Sequence, residues 1–181
     1  IDLIAVILSP EDSVFQTALS EKVCVFRVGG ASRAETVRNG VSTLLKQGLA
    51  EAKDNILVHD AARCCLPAEA LTRLLDEAGE NDEGGILAIP IADTLKRADG
   101  NHHIDETVAR AGLWQAQTPQ LFQTALLHRA LSVDDLSEIT DEASAVEKLG
   151  IRPRLVQGDT RNLKLTLPQD EYIVRLLLKA V

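Results

Sequence analysis

Short aliphatic runs alternate with helix-patterned segments along the whole chain, and this alternation limits the fold more than any other feature. Strands alternating with helices close most readily as a mainly parallel sheet flanked by helices. Strands are expected over residues 1–8, 23–28, 55–59, 86–91, 155–157 and 162–166. Ser9-Pro10-Glu11-Asp12 reads as a helix start, with Ser as N-cap, Pro at the first helical position and acids in the first turn. Further helices are expected over 32–47 with Gly48 closing, over 65–78 with Pro67 near the start and Gly79 after the end, and over 125–131. Thr140-Asp141-Glu142 caps a helix that runs to Leu149 and is closed by Gly150, and Pro168 begins the last one. Aromatic residues make up 3% of the chain, so the core must be aliphatic, as buried parallel sheets are. Residues 93–110 differ: they are polar, alternate in character and carry a turn signal at Asp99-Gly100, which predicts a β-hairpin arm projecting from the body. With no repeat, low-complexity tract or linker, residues 1–181 read as a single domain that includes this arm.

The net charge of −8 argues against a non-specific nucleic-acid binder, which needs a basic face for phosphates. A few clustered Arg and Lys side chains can still receive a small anion. No apolar run approaches the roughly 20 residues of a membrane span, so no membrane partner is expected. Cys24, Cys64 and Cys65 are odd in number, two are adjacent, and no C-x-x-C occurs. Neither a disulfide framework nor a zinc site fits, and a reducing cytoplasm is the expected setting. The chain contains no Met, so Ile1 is expected to lie downstream of the translated start.

Four segments carry chemistry, each with a plainer alternative. In Leu57-Val58-His59-Asp60-Ala61-Ala62-Arg63 an apolar strand ends in an Asp, followed by small residues and an Arg. Ligands of open α/β sheets bind at the carboxyl ends of strands. Asp60 there suits Mg2+ beside phosphate oxygens, and Arg63 suits a phosphate. The alternative is that Asp60 caps the next turn and Arg63 lies on the surface; His59 reads as a packed strand-end residue. In Gly29-Gly30-Ala31-Ser32-Arg33-Ala34-Glu35-Thr36 a double glycine leads into a helix N-terminus, which favours an anion or a polar base edge, with Thr36 presenting a hydroxyl. A well-capped helix explains the same residues. In Arg161-Asn162-Leu163-Lys164 the alternation puts Asn162 and Lys164 on one face, so that Lys164 either meets phosphates or is a solvated edge lysine. The arm, with Thr94, Lys96, Arg97 and Arg110, is marginal on its own and calls for packing against a second subunit or its own domain.

Taken in order, these pieces resemble the methylerythritol-phosphate cytidylyltransferase family. The matching set is Gly29-Gly30 with Arg33 and Thr36, Val58 to Arg63, Gly84-Gly85-Ile86-Leu87-Ala88, Asp93-Thr94-Leu95-Lys96, Leu113-Trp114 with Thr118-Pro119-Gln120, Thr140 to Ser144, and Asn162-Leu163-Lys164. The resemblance implies an α/β, Rossmann-like nucleotidyltransferase fold and a homodimer joined through the β-arm. It implies transfer of CMP from CTP to 2-C-methyl-D-erythritol 4-phosphate, with Mg2+ as cofactor. Gly29, Gly30, Thr36, Asp60, Ala61 and Lys164 would contact CTP, with Thr36 where the family usually has Ser. Asp60 would hold Mg2+, and Asp60 and Lys164 would be the catalytic pair. Asp60, Arg63, Thr94, Arg110, Thr118 and Thr140 would surround the methylerythritol phosphate, Thr94 and Arg110 reaching it through a partner's arm. The family opens with a glycine-rich loop carrying an Arg and a Lys, which is expected upstream of Ile1. Rival readings are a pentitol-phosphate cytidylyltransferase and a non-catalytic dimerising nucleotide-binding module.

Overall fold

The computed structural model describes residues 1–16 and 21–179. Its elements follow one another as β1 (Ile4–Ile7), β2 (Val23–Phe26), α1 (Arg33–Lys46), β3 (Asn55–Val58), α2 (Ala68–Ala78), β4 (Gly85–Pro90), β5 (Leu95–Ala98), β6 (Ile104–Val108), β7 (Trp114–Gln123), α3 (Thr124–Leu131), α4 (Glu142–Glu147), β8 (Arg154–Gln157) and α5 (Asp170–Leu177). They gather into two units, one from Ile1–Val58, Asn81–Gly84 and Leu121–Pro153, the other from His59–Glu80, Gly85–Gln120 and Arg154 onward.

In the first unit β1 and β2 pair in parallel, with Ile4 opposite Val23 and Ile7 opposite Phe26. Helix α1 lies against β1 at Gly40, where an added Cβ would come within 2.9 Å of Ile7 Cγ1. A glycine in mid-helix costs backbone entropy, and here that cost allows close approach. The helix starts at Ser32, whose side chain accepts from the Glu35 amide. It ends in a Schellman turn: Leu49 N–H reaches the Leu44 carbonyl at 2.9 Å, and Gly48 N–H the Leu45 carbonyl at 3.2 Å, with Gly48 at φ 67°. Leu121, Phe122, Leu127, Leu131 and Val146 are fully buried and form the core of this unit, aliphatic but for one aromatic ring.

In the second unit β7, β4 and β8 lie side by side, and β4 and β8 run parallel with Gly85 opposite Arg154 and Ala88 opposite Gln157. Helix α2 covers β4 and β8, its buried face carrying Ala70, Leu74 and Ala78. The arm is the antiparallel pair β5–β6, with nearly every residue exposed. Its ion pair between Arg97 and Glu106 and its bond from Lys96 Nζ to Thr107 Oγ1 sit in solvent, where such pairs contribute about 0–1 kcal/mol.

The expectations differ from the structure in particular places. Residues 9–16 form turns and no helix, because Ser9 Oγ accepts from the Glu11 amide and Asp12 Oδ1 from the Phe15 amide. Short polar side chains bound to nearby backbone compete with helix formation. Residues 17–20, which follow that expected helix start in the chain, lie outside the described residues. Residues 162–166 are irregular and not a strand; Leu165 N–H donates to the Ala62 carbonyl and Asn162 N–H to the Asp159 carbonyl. Helices α2 and α5 begin at Ala68 and Asp170, after Pro67 and Pro168. The arm turn is carried by His102 at φ 64° and by Asp99 Oδ1, which accepts from the amides of Asn101 and His103. Strand β7 was not expected; its Gln and Thr residues and its central Pro119, which follows a cis peptide bond, read as loop.

Two stability predictions follow from the first unit. Gly84 has φ 71°, and an added Cβ would collide with the buried Phe122 ring. Gly84→Ala should therefore cost roughly 2 kcal/mol or more in urea unfolding; a loss of a few tenths would show that the strand start relaxes freely. Arg33 on α1 grips Glu142 at the start of α4 with two bonds of 2.7 and 3.0 Å, and Glu142 is 1% exposed. Burial raises the Glu142 carboxyl above its ordinary range, against the pull of Arg33. A carboxyl that holds its proton more tightly when folded favours the fold below its unfolded pKa and loses that contribution as pH rises through the folded pKa. Removing the cation widens that window. Arg33→Ala should cost about 3–5 kcal/mol at about pH 8 and clearly less at about pH 5. Equal losses at both values would exclude the buried carboxylate as their source.

Candidate active site

Of the residues expected at the chemistry, the second unit brings Asp60, Arg63, Thr118 and Lys164 into one bonded group. Asp60 follows the end of β3, and its carboxylate Oδ2 lies 2.8 Å from Lys164 Nζ. The lysine arrives from the irregular segment after β8, not from a strand. The Asp60 side chain is 15% exposed and that of Lys164 42%, so the cation faces solvent and the anion is half-sheltered behind it. Their attraction sets geometry more than stability at such exposure. The Asp60 amide donates to Thr118 Oγ1 at 3.0 Å. Thr118 lies on β7 and is buried.

Arg63 was expected on a phosphate. The structure buries it to 8% exposure and directs Nη1 to the Asn162 carbonyl at 2.6 Å and Nη2 to the Ala116 carbonyl at 3.5 Å. Its guanidinium thus ties the loop after β3 to the segment that carries Lys164. Gln117 and Asn162 extend this web: Gln117 Nε2 donates to the Asp159 carbonyl at 2.9 Å and Asn162 Nδ2 to the Thr118 carbonyl at 2.8 Å. Neither Gln117 nor Asn162 was singled out from the sequence as a site residue. The signal was there in the polar alternation Gln115, Gln117 along an apolar-flanked run, which fits a strand whose inward polar groups are hydrogen-bonded.

His59 was likewise set aside as a packed strand-end residue. It is exposed, yet both ring nitrogens are bonded, Nε2 to the Arg63 carbonyl and Nδ1 to Thr118 Oγ1, each at 3.0 Å. Partial desolvation of the ring lowers its pKa, outweighing the bond to the Arg63 carbonyl and the nearby Asp60.

Thr94 and Arg110 stand at the two roots of the arm, both exposed. Beside the roots, at the carboxyl ends of β4 and β8, is a cavity of about 730 Å3 lined by Ile89, Pro90, Ile91, Asp93, Gln157 and Asp159 among others. Neither Asp60 nor Lys164 lines it.

The first unit holds Gly29, Gly30, Thr36 and Thr140, while Ala61 follows Asp60 in the second. At Gly29-Gly30 the backbone donors are already engaged: Gly29 N–H to the Leu8 carbonyl at 2.8 Å, Gly30 N–H to Thr36 Oγ1 at 3.0 Å, and Ala31 N–H to Glu35 Oε2 at 2.8 Å. Thr36 in turn donates its hydroxyl proton to the Ser32 carbonyl at 2.9 Å. The loop therefore holds its own shape through Thr36. Thr140 is exposed just before α4, where its amide meets Ser144 Oγ at 3.1 Å in a capping box closed by Asp141.

Known proteins match this arrangement along its length. The family model described as 2-C-methyl-D-erythritol 4-phosphate cytidylyltransferase matches residues 1–180. A 2-C-methyl-D-erythritol 4-phosphate cytidylyltransferase of Neisseria gonorrhoeae is 67% identical over 100% of this chain and 80% of its own length. One from Chromobacterium violaceum is 49% identical over 99% of this chain and 79% of its own. A crystal structure of a 4-diphosphocytidyl-2C-methyl-D-erythritol synthase superposes with a TM-score of 0.92 at 66% identity, covering 98% of this chain and 82% of that one. The Francisella tularensis 2-C-methyl-D-erythritol 4-phosphate cytidylyltransferase superposes with a TM-score of 0.83 at 30% identity, covering 97% and 80%. The fold is thus the Rossmann-like nucleotidyltransferase α/β fold. With its ordered motifs, its topology and its whole length matched, this chain belongs to the family of 2-C-methyl-D-erythritol 4-phosphate cytidylyltransferases.

Proposed function

We propose that the chain transfers CMP from CTP to 2-C-methyl-D-erythritol 4-phosphate, with Asp60 and Lys164 acting directly on the phosphates. The observation that carries this reading is the 2.8 Å pair itself: an ammonium and a carboxylate held at one loop end, the ammonium open to solvent. A sugar-alcohol phosphate is largely dianionic near neutral pH, since its second pKa is about 6. Its oxygen needs no general base to attack the α-phosphorus of CTP, and pyrophosphate leaves in line. The barrier is repulsion between two anions, so the protein's task is to gather positive charge where charge builds.

Lys164 supplies one such charge. An incoming phosphate oxygen competes with Asp60 for its ammonium, so the lysine can turn from one anion to the other without leaving its loop. Gly29, Gly30, Thr36 and Ala61 contact CTP in this reading. Thr94, Arg110, Thr118 and Thr140 contact the methylerythritol phosphate, as does Asp60. Arg63 acts on the acceptor side chiefly by fixing the loops that carry Asp60 and Lys164.

Asp60 is also suited to Mg2+. Among the described residues no three His, Cys, Asp or Glu side chains gather as a metal site. A hard cation that takes one carboxylate and completes its shell with phosphate oxygens and water matches that donor set. When bound, Mg2+ would neutralise phosphate charge at the α-phosphorus.

The arm supports a homodimer. A two-stranded ribbon is marginal alone in water, and this one exposes Ile104 at 68%, followed in the chain by half-exposed Leu113 and Trp114. A second copy is the partner that symmetry favours. No helix among the described residues is long and apolar enough to cross a membrane. The thiols of Cys24, Cys64 and Cys65 are free, in keeping with the cytoplasm.

Pyrophosphate release from CTP and Mg2+ by the full-length protein should require methylerythritol phosphate and should not be supported by a pentitol phosphate. Lys164→Ala should lower kcat on the order of 10²-fold while changing KM for CTP far less. An unchanged kcat would remove Lys164 from the chemistry.

A further inference from the structure

His59 is the exposed side chain that the proposed chemistry leaves unused, yet its bonds lead to Asp60. The direction of each bond follows from counting protons. The Arg63 carbonyl only accepts, so Nε2 of His59 must carry the ring proton across their 3.0 Å contact. In the neutral ring Nδ1 then has only a lone pair. The 3.0 Å contact to Thr118 Oγ1 is therefore a bond in which the threonine hydroxyl donates. That hydroxyl has one proton, now committed. Its oxygen is left as acceptor for the Asp60 amide, also at 3.0 Å. The opposite tautomer would set the bare Nε2 against the Arg63 carbonyl, two acceptors face to face.

We propose that His59 is a positioning residue: in its Nε2–H tautomer it draws the Thr118 hydroxyl toward itself, so that Thr118 Oγ1 receives the Asp60 amide and fixes the backbone from which the Asp60 carboxylate meets Lys164. The charged groups around the ring are Asp60 next to it in the chain, Arg63, whose carbonyl it holds, and Lys164 beyond Asp60. Thr118 consequently serves Asp60 first. Its hydroxyl donates to His59 Nδ1, and its buried side chain acts as the joint between β7 and the loop after β3. This inference rests on the reading of Asp60 and Lys164 as acting on the phosphates.

The test combines a spectroscopic and a kinetic arm on the full-length protein. Long-range 1H–15N spectra of histidine-labelled protein, with the His59 signals assigned by their loss in His59→Phe, should show a protonated Nε2 and a bare Nδ1. His59→Phe keeps ring volume but neither bond, and should lower kcat/KM roughly 10–100-fold, as loss of an orienting partner does. His59→Asn, which can return an acceptor to Thr118, should lose less. Thr118→Val should lose at least as much as His59→Phe, and the double variant should be no worse than Thr118→Val alone, because the link that His59→Phe removes is already lost there. A protonated Nδ1, or a double variant whose loss is the product of the two single losses, overturns the proposal. The spectra need no substrate, so the two readings fail separately. Full activity in Asp60→Asn would sink the site assignment and leave the tautomer standing; a wrong tautomer with an inactive Asp60→Asn would do the reverse.

Discussion

Arg63 closing on the Asn162 carbonyl at 2.6 Å is the bond around which the second unit's chemistry is arranged. Two irregular segments meet there, the loop after β3 and the stretch after β8, joined by the backbone bond from Leu165 N–H to the Ala62 carbonyl and by side-chain links. Irregular backbone keeps its place only if its polar groups find partners. Here those partners are buried side chains: Arg63, Gln117 and Asn162, with 8%, 3% and 0% exposure. The buried Asn162 Oδ1 finds no hydrogen-bond partner within it, yet the remaining bonds make the web costly to break. Its yield is the meeting of Asp60 and Lys164, two charges from segments far apart in sequence, at the distance of a direct ion pair.

The same logic appears in the first unit with different residues. Arg33 and Glu142 join the start of α1 to the start of α4, next to the segments that carry Thr36 and Thr140. The glycine loop before α1 satisfies its own amides through Leu8, Thr36 and Glu35. Both units thus fix their loop ends internally before any ligand arrives. Preorganisation of this sort matters for phosphoryl transfer, where the protein contributes position and charge and little covalent chemistry.

Much of this was legible in the sequence, for reasons that differ by element. Helix α1 was marked at both ends, by Ser32 and by Gly48 with its positive φ, and both marks act through local backbone bonds. Strand β4 was announced by an aliphatic run after paired glycines. Asp60 and Lys164 were flagged by motif and family order, and the structure pairs them. What stayed hidden depends on contacts between distant residues. Strand β7 looks polar because Gln117, Thr118 and Gln120 are buried through hydrogen bonds and not through hydrophobicity. The segment 162–166 mimics a strand by alternation, yet its backbone is held by Arg63 and Ala62 and not by a ladder. The turn of residues 9–16 was misread because Ser, Pro and Asp open turns as readily as helices. Arg63 itself was placed correctly in the motif, but its burial on carbonyl oxygens follows only from the fold.

The most direct measurement of the account is a crystal structure of the full-length protein with CTP, Mg2+ and methylerythritol phosphate bound. The account predicts that Lys164 shifts from Asp60 onto a phosphate oxygen while Arg63 keeps its hold on the Asn162 carbonyl. Substrate phosphates seated away from both Asp60 and Lys164, or an Arg63 that abandons Asn162 to bind them, would contradict it.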